Sequence, residues 1–130
     1  MKSEVCHVSM PVRIQNVCSF VYEGKKTHVL VAEFEDTYHI TVTQLGKFCV
    51  VVKVTSSQVL PGFGAQAHAV FNAKVLLGPD EVAFRVIARQ LASLYCLDMK
   101  PSVIFFGLIN PTPEYARCLL ENVKHQLLKK

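Results

Sequence analysis

Cysteine and histidine would have to carry any covalent or metal chemistry in this chain, and their spacing offers little of either. The cysteines are Cys6, Cys18, Cys49, Cys96 and Cys118, and the histidines are His7, His28, His39, His68 and His125. A zinc site draws ligands from close pairs such as C-x-x-C or two histidines one helical turn apart, and neither spacing occurs. A nucleophilic thiol needs an exposed, electropositive setting that stabilises its thiolate. Cys49 lies between Phe48 and Val50 in a valine-rich stretch, and Cys118 lies beside Leu119 on an apolar helix stripe. Thiols in such places behave as small apolar groups. A Cys–His pair brought together only by the fold would leave no trace in the spacing, and its mark would be a thiol that alkylates fast at neutral pH. Phosphate chemistry is no better served. Gly62-x-Gly64 lacks the third glycine, the lysine and the strand-to-helix setting of a phosphate loop. Asp80 and Glu81 occupy a well-marked helix start, where their charges would repel an anion. No catalytic, cofactor-binding or metal residues are nominated, no cofactor is expected, and the chain reads as non-catalytic.

Composition points instead to association. The 130 residues are expected to form a single domain, 1–130, large enough to bury a core without disulfides. The apolar share of 51% and the mean hydropathy of +0.30 are high for a small protein that must cover itself in polar surface. The apolar runs are much shorter than the roughly 20 residues of a membrane helix, and the first residues do not have the pattern of a secretion signal. Five scattered cysteines, an odd number, fit free thiols in a reducing compartment, so a cytoplasmic or nuclear location is expected. The net charge of +4 is modest, and Lys25-Lys26 and Lys129-Lys130 are short pairs that read as solvated surface. Neither nucleic acid nor membrane is an expected partner.

The elements follow from periodicity and punctuation. Ile14–Tyr22, with imperfect alternation, and Val29–Ala32, apolar on both faces, read as strands around a turn at Glu23-Gly24-Lys25-Lys26. Tyr38–Leu45 and Phe48–Val54 read as a hairpin closed by Gly46-Lys47. Residues 55–68 form a long connection, and Ala69–Leu77 a fifth strand. Lys74-Val75-Leu76-Leu77-Gly78-Pro79-Asp80-Glu81 then reads as strand end, stop and helix start. Phe84, Ile87, Leu91, Leu94 and Tyr95 make the buried stripe of the first helix, which runs from Asp80 to about Asp98. Val103–Ile109 is a continuous apolar strand. Thr112 as N-cap and Pro113 in the first turn open a second helix, with Ala116, Leu119, Leu120, Val123 and Leu127 inward. The fold class is α+β, a six-stranded, mainly antiparallel sheet with two helices in the order β-β-β-β-β-α-β-α.

The expected hairpin assigns two faces to the middle of the sheet. Leu45, Phe48, Val50, Val52 and Val54 share one face with His39, Thr41 and Thr43 and should take the helices. The other face carries Ile40, Val42, Cys49 and Val51 between polar ends and is the expected dimer contact, because a monomer rarely leaves such a patch bare. Leu60 and Phe63, in the glycine-bearing connection, are expected to form a contact loop that is mobile when unbound.

Two segments carry a family resemblance. Val42-Thr43-Gln44-Leu45-Gly46-Lys47 and the octet from Lys74 to Glu81 resemble segments of proteasome assembly chaperone 3, and the strand order between and after them is similar. The resemblance implies a non-catalytic chaperone that works as a dimer. Its implied partners are a related subunit of the proteasome assembly chaperone 4 type and the α-subunits of the 20S proteasome, with a homodimer when the chain is alone. It implies a role early in assembly of the α-ring and departure before the particle is complete. A dimeric α+β trafficking or scaffold adaptor, longin-like or roadblock-like, is the other reading. Such adaptors place a helix between early strands, whereas four strands precede the first helix here.

Overall fold

Glu23 and Gly24 have φ of +49° and +79°, and that pair of positive angles closes a tight two-residue hairpin. It joins β1, Arg13–Tyr22, to β2, Lys25–Glu33. The computed structural model describes residues 13–44, 48–59, 68–95, 100–108 and 111–128. In chain order β3 (Tyr38–Thr43), β4 (Val50–Val59), β5 (His68–Leu77), α1 (Val82–Tyr95), β6 (Ser102–Gly107) and α2 (Pro113–Leu128) follow. The strands make one six-stranded sheet in the order β1-β2-β3-β6-β4-β5. Every pairing is antiparallel except β3 with β6. The α+β class and the element order agree with the sequence reading.

The expected β3–β4 hairpin does not form. β6, from far later in the chain, lies between those two strands and pairs with both. Gly46 and Lys47 lie outside the described residues, but the ends of their segment are tied to β6. Gln44 N–H donates to the Gly107 carbonyl at 3.0 Å, and Cys49 N–H donates to the Phe106 carbonyl at 2.8 Å. Gln44 and Cys49 therefore each bond to the end of β6, where a hairpin would have paired β3 with β4 directly. A second correction concerns the long connection: β4 continues through Ser56 and Ser57 to Val59 and pairs with β5 down to His68, so 55–59 are strand. The imperfect alternation of β1 has a local cause, a register shift between Asn16 and Cys18 that lets Cys18 turn inward.

The octet before α1 stops the strand as expected but does not start the helix at Pro79. Gly78 has φ +94°, and α1 begins at Val82, so Asp80 and Glu81 precede its first turn. Asp80 instead holds Arg85 at 2.9 Å. The opening of α2 matches its expectation: Thr112 Oγ1 accepts the Tyr115 N–H at 3.1 Å, the N-cap bond to the third residue.

Both helices pack on one side of the sheet, α1 against β4, β5 and β6, and α2 against β1 and α1. Phe84, Ile87 and Leu91 of α1 and Tyr115, Leu119 and Val123 of α2 meet Val29, Ile40, Val42, Val50, Val52, Ile104 and Phe106 of the sheet, all buried. Ile40, Ile104 and Val52 form one row across three strands, and Val42, Phe106 and Val50 the next. Even-numbered residues of β3, β6 and β4 thus share the helix face. Each large apolar side chain buried this way contributes about 1.5–3 kcal/mol. One buried polar group is matched within this core: the Thr27 hydroxyl lies 2.8 Å from the Tyr115 hydroxyl and also accepts from Gln44 Nε2 at 3.3 Å. The Tyr115 phenol, enclosed by the sheet and helix, has its pKa pushed up to about 12 by desolvation.

Candidate association surface

With both helices on one side, the other side of the sheet is left uncovered by the described residues. Residues opposite each other on neighbouring strands point to the same side of a sheet. The register therefore reads off the open face directly. One row runs Leu77, Val51, Phe105, Thr41 and Leu30 across β5, β4, β6, β3 and β2. The next, two residues along and so roughly 7 Å away, runs Lys74, Lys53, Val103, His39 and Ala32. The first row is apolar apart from Thr41. Phe48, whose ring packs on Phe105 in the middle of this row, has 53% of its surface exposed, and the end residues Leu77 and Leu30 are 63% and 39% exposed.

Aromatic rings cross both rows. The Phe48 and Phe105 ring centroids are 5.1 Å apart, Phe105 and His39 5.5 Å, and His39 and Phe34 4.6 Å. These tilted and edge-on contacts are the geometry aromatic quadrupoles prefer. They leave a rigid ring ladder half in water. Rigid aromatic groups flanked by aliphatic side chains are the usual centre of a protein–protein contact, with a polar rim around it.

Part of the face assignment expected from the sequence is reversed by this arrangement, so the expected dimer residues separate. Ile40 and Val42 are fully buried beneath the helices and belong to the core. Val51 is half-buried on the open face, and Cys49 is exposed just before β4, not within it. The Cys49 Sγ lies 3.2 Å from the Leu108 carbonyl. Phe48, His39, Thr41 and Thr43, expected beneath the helices, are on the open side or at its margin. Leu60 and Phe63, the expected contact loop, lie outside the described residues. Phe105 and Leu30 went unnominated because each sits in a run of apolar residues with no polar partner to mark its side. Their signal was the ordinary alternation along β6 and β2, readable only once the core side is known.

Charges cluster on the helix side at one end of the sheet. Glu33 accepts from Lys100 Nζ at 3.0 Å and from Arg13 at 2.8 Å. Lys100 also donates to the Phe34 carbonyl at 3.0 Å and stands 4.9 Å from the Tyr38 ring centroid. The hydrogen bonds from Lys100, then Arg13, hold the Glu33 carboxyl below its ordinary pKa of 4.5. A lowered folded pKa means that this group's contribution is whole above the unfolded value and fades as pH falls through the folded one. Acid unfolding of Glu33→Gln should therefore be less steep below about pH 4.5 than that of the parent chain. Denaturant midpoints at pH 6, 4 and 3 measure this, and equal slopes in the two proteins would refute it.

The described residues contain no cluster of His, Cys, Asp and Glu that could hold a metal, and none of their helices is long and apolar enough to cross a membrane. Cys18 is buried, and desolvation raises its thiol pKa, the opposite of an activated nucleophile. What the geometry presents is a surface for contact.

Comparison with known proteins bears on what that surface is for. The Proteasome assembly chaperone 3 family model matches residues 40–126, from the middle of β3 to near the end of α2. A curated relative, Proteasome assembly chaperone 3 of Nematostella vectensis, is 29% identical over 119 residues, covering 86% of each chain. A solved structure titled "Crystal Structure of a Novel Chaperone Complex for Yeast 20S Proteasome Assembly" superposes with a TM-score of 0.65 at 14% identity. The match covers 85% of this chain and 95% of that one, a likeness of fold. The segments flagged in the sequence, Val42–Lys47 and the octet around Gly78, both fall inside the matched span, and the chain belongs to the proteasome assembly chaperone 3 family.

Proposed function

We propose that this chain is a non-catalytic chaperone that promotes an early step in assembly of the 20S proteasome α-ring, working in the cytoplasm as one half of a dimer. Its partner in that dimer is a related subunit of the proteasome assembly chaperone 4 type, and its clients are proteasome α-subunits. The chain can also pair with itself when no such partner is present. The observation that carries the dimer is the one-sided sheet: two helices cover one face, and the other presents Leu77, Val51, Phe105 and Leu30 beside a ladder of aromatic rings. Family membership carries the chaperone role. The related complex, by its title a chaperone complex for yeast 20S proteasome assembly, supports pairing with a second chaperone.

Phe105→Ser tests this reading. Phe105 is half-buried on the open face, so the variant should keep a cooperative unfolding transition. It should also lose association with the partner subunit by at least about tenfold, the scale of a central aromatic anchor. Cells in which this variant replaces the parent chain should accumulate incomplete α-rings on native gels. Unchanged association would move the contact off this face. Intact α-ring assembly despite lost dimerisation would separate the chaperone role from the dimer.

A further inference from the structure

Lys53 on β4 and Lys74 on β5 are direct register partners, and both side chains are exposed on the open face. Like charges placed opposite each other across a strand pair repel. Proteins ordinarily relieve such a pair with a nearby acid, and among the described residues the strands supply none on the open face. By register, the outward positions of the described strands carry Lys26, His28, His39, Lys53, His68 and Lys74 as their ionisable groups. Glu33 points to the helix side, where it is held by Arg13 and Lys100. Glu114 and Glu121 lie on α2, Asp80 and Glu81 precede α1, and Glu23 is in the β1–β2 turn at the opposite edge of the sheet from β4 and β5. Glu35 and Asp36 in the β2–β3 turn are at the far side of the sheet, across β3 and β6 from the lysines. The segment between β4 and β5, residues 60–67, contains no Asp or Glu in its sequence.

The lysine pair also lies one row from the apolar strip of Leu77, Val51 and Phe105. A subunit laid over that strip necessarily comes over the lysines. If its surface there resembles this one, two sets of cations approach each other as water is excluded. If it carries carboxylates, the repulsion already present between Lys53 and Lys74 is neutralised on binding. Charges at the rim of an apolar contact set partner choice more than raw affinity.

We propose that Lys53 and Lys74 form a receptor for carboxylates on the opposing subunit, and that this pair selects a sheet-faced chain with an acidic surface at that position over a second copy of this one. The inference rests on the open-face dimer proposed above and adds the residues that choose its partner. Self-association is held back by the cation pair, and screening it with salt restores part of the lost affinity.

Sedimentation of the full chain at 50 and 500 mM NaCl provides the test, alone and mixed with Lys53→Glu/Lys74→Glu. Both substitutions are on exposed side chains, and thermal melts confirm that the variant folds. Self-association of the parent chain should tighten with salt. The parent–variant mixture at 50 mM should associate about tenfold more tightly than the parent with itself. Lys53→Met/Lys74→Met should self-associate at low salt as the parent does at high salt. The inference is overturned if parent self-association is tight and weakens with salt, the result expected if Glu35 and Asp36 of a second copy already meet the lysines. It is also overturned if the mixture is no tighter than the parent. Phe105→Ser in both chains separates the two readings. If it leaves association intact, the open-face dimer itself is wrong. If it abolishes association while the lysine variants behave as the parent does, only the selector role of Lys53 and Lys74 is lost.

Discussion

Val42→Asp should abolish cooperative folding, whereas Val51→Asp, nine residues on, should leave the fold intact and remove association. Val42 is fully buried between Val29 of β2 and Phe106 of β6, beneath the helices. A carboxylate there loses its water without gaining a cation, a penalty of several kcal/mol. The lost apolar burial adds about 1.5–3 kcal/mol. Together these match the whole stability of an ordinary domain, about 5–15 kcal/mol. Val51 opens to the other side, opposite Phe105 and Leu77. A carboxylate on that side stays in water until a partner covers it. Far-UV circular dichroism and a denaturant titration read the first effect, and sedimentation the second. A Val42→Asp protein that unfolds at the parent's midpoint would place Val42 outside the core and restore the face assignment expected from the sequence.

Gly78→Ala should be strongly destabilising for a single added methyl, and Gly24→Ala is its control. Gly78 has φ +94°, which L side chains rarely adopt. That backbone term is roughly 1–3 kcal/mol. A Cβ at this position would also run into the Cys49 carbonyl oxygen and lie 3.1 Å from Val50 Cα. Both obstacles are backbone at the entry to β4, so relief requires moving the strand, and the total should exceed the backbone term alone. Gly24 has φ +79° with nothing within 4 Å of its would-be Cβ, so its substitution carries only the backbone term. The two variants should differ by at least about 1 kcal/mol in denaturant unfolding. Since Phe48 precedes Cys49, Gly78→Ala should also disturb the ring ladder and weaken association. Equal destabilisation by the two changes would show that the approach of Gly78 to Cys49 is not tight.

The sequence revealed elements better than neighbours. Stripes at helical spacing located α1 and α2, and valine-rich alternation located β4, because those signals are local. The partner of β3 was hidden. A Gly-Lys pair between two strands satisfies the spacing of a two-residue hairpin, and nothing nearby announces that residues 102–107 will separate them. That one error propagated to the surface. Pairing Leu45 with Phe48 puts even residues of β3 beside odd residues of β4, while pairing both through β6 puts even beside even. Ile40 and Val42 therefore went to the wrong side, and Phe48 with them. Val51 was assigned to the open side correctly, on the same alternation. The length of β4 was missed because Thr55, Ser56, Ser57 and Gln58 are polar. Thr55 and Ser57 are exposed there, and the strand is held by its backbone pairing to β5. The lysine pair needed the β4–β5 register, which a bulge between Val51 and Val52 shifts and no spacing rule supplies.

The position of β6 has a consequence for how the molecule comes into being. Strands β1 to β3 form one ribbon and β4 with β5 another, and the sheet has no direct pairing between the two without β6. On a ribosome, both ribbons and the whole of α1 emerge before Ser102 does. Until then each ribbon has an unfilled inner edge, and α1 has only part of its floor. Contacts that join distant parts of a chain form slowly, so the nascent protein passes through a stage with two open strand edges and an exposed Val, Ile and Leu surface. Unpaired edges of that kind recruit other strands. A protein whose family guides the building of another complex therefore has an aggregation-prone interval of its own, which ends only when a strand made late in synthesis slots into the middle of the sheet.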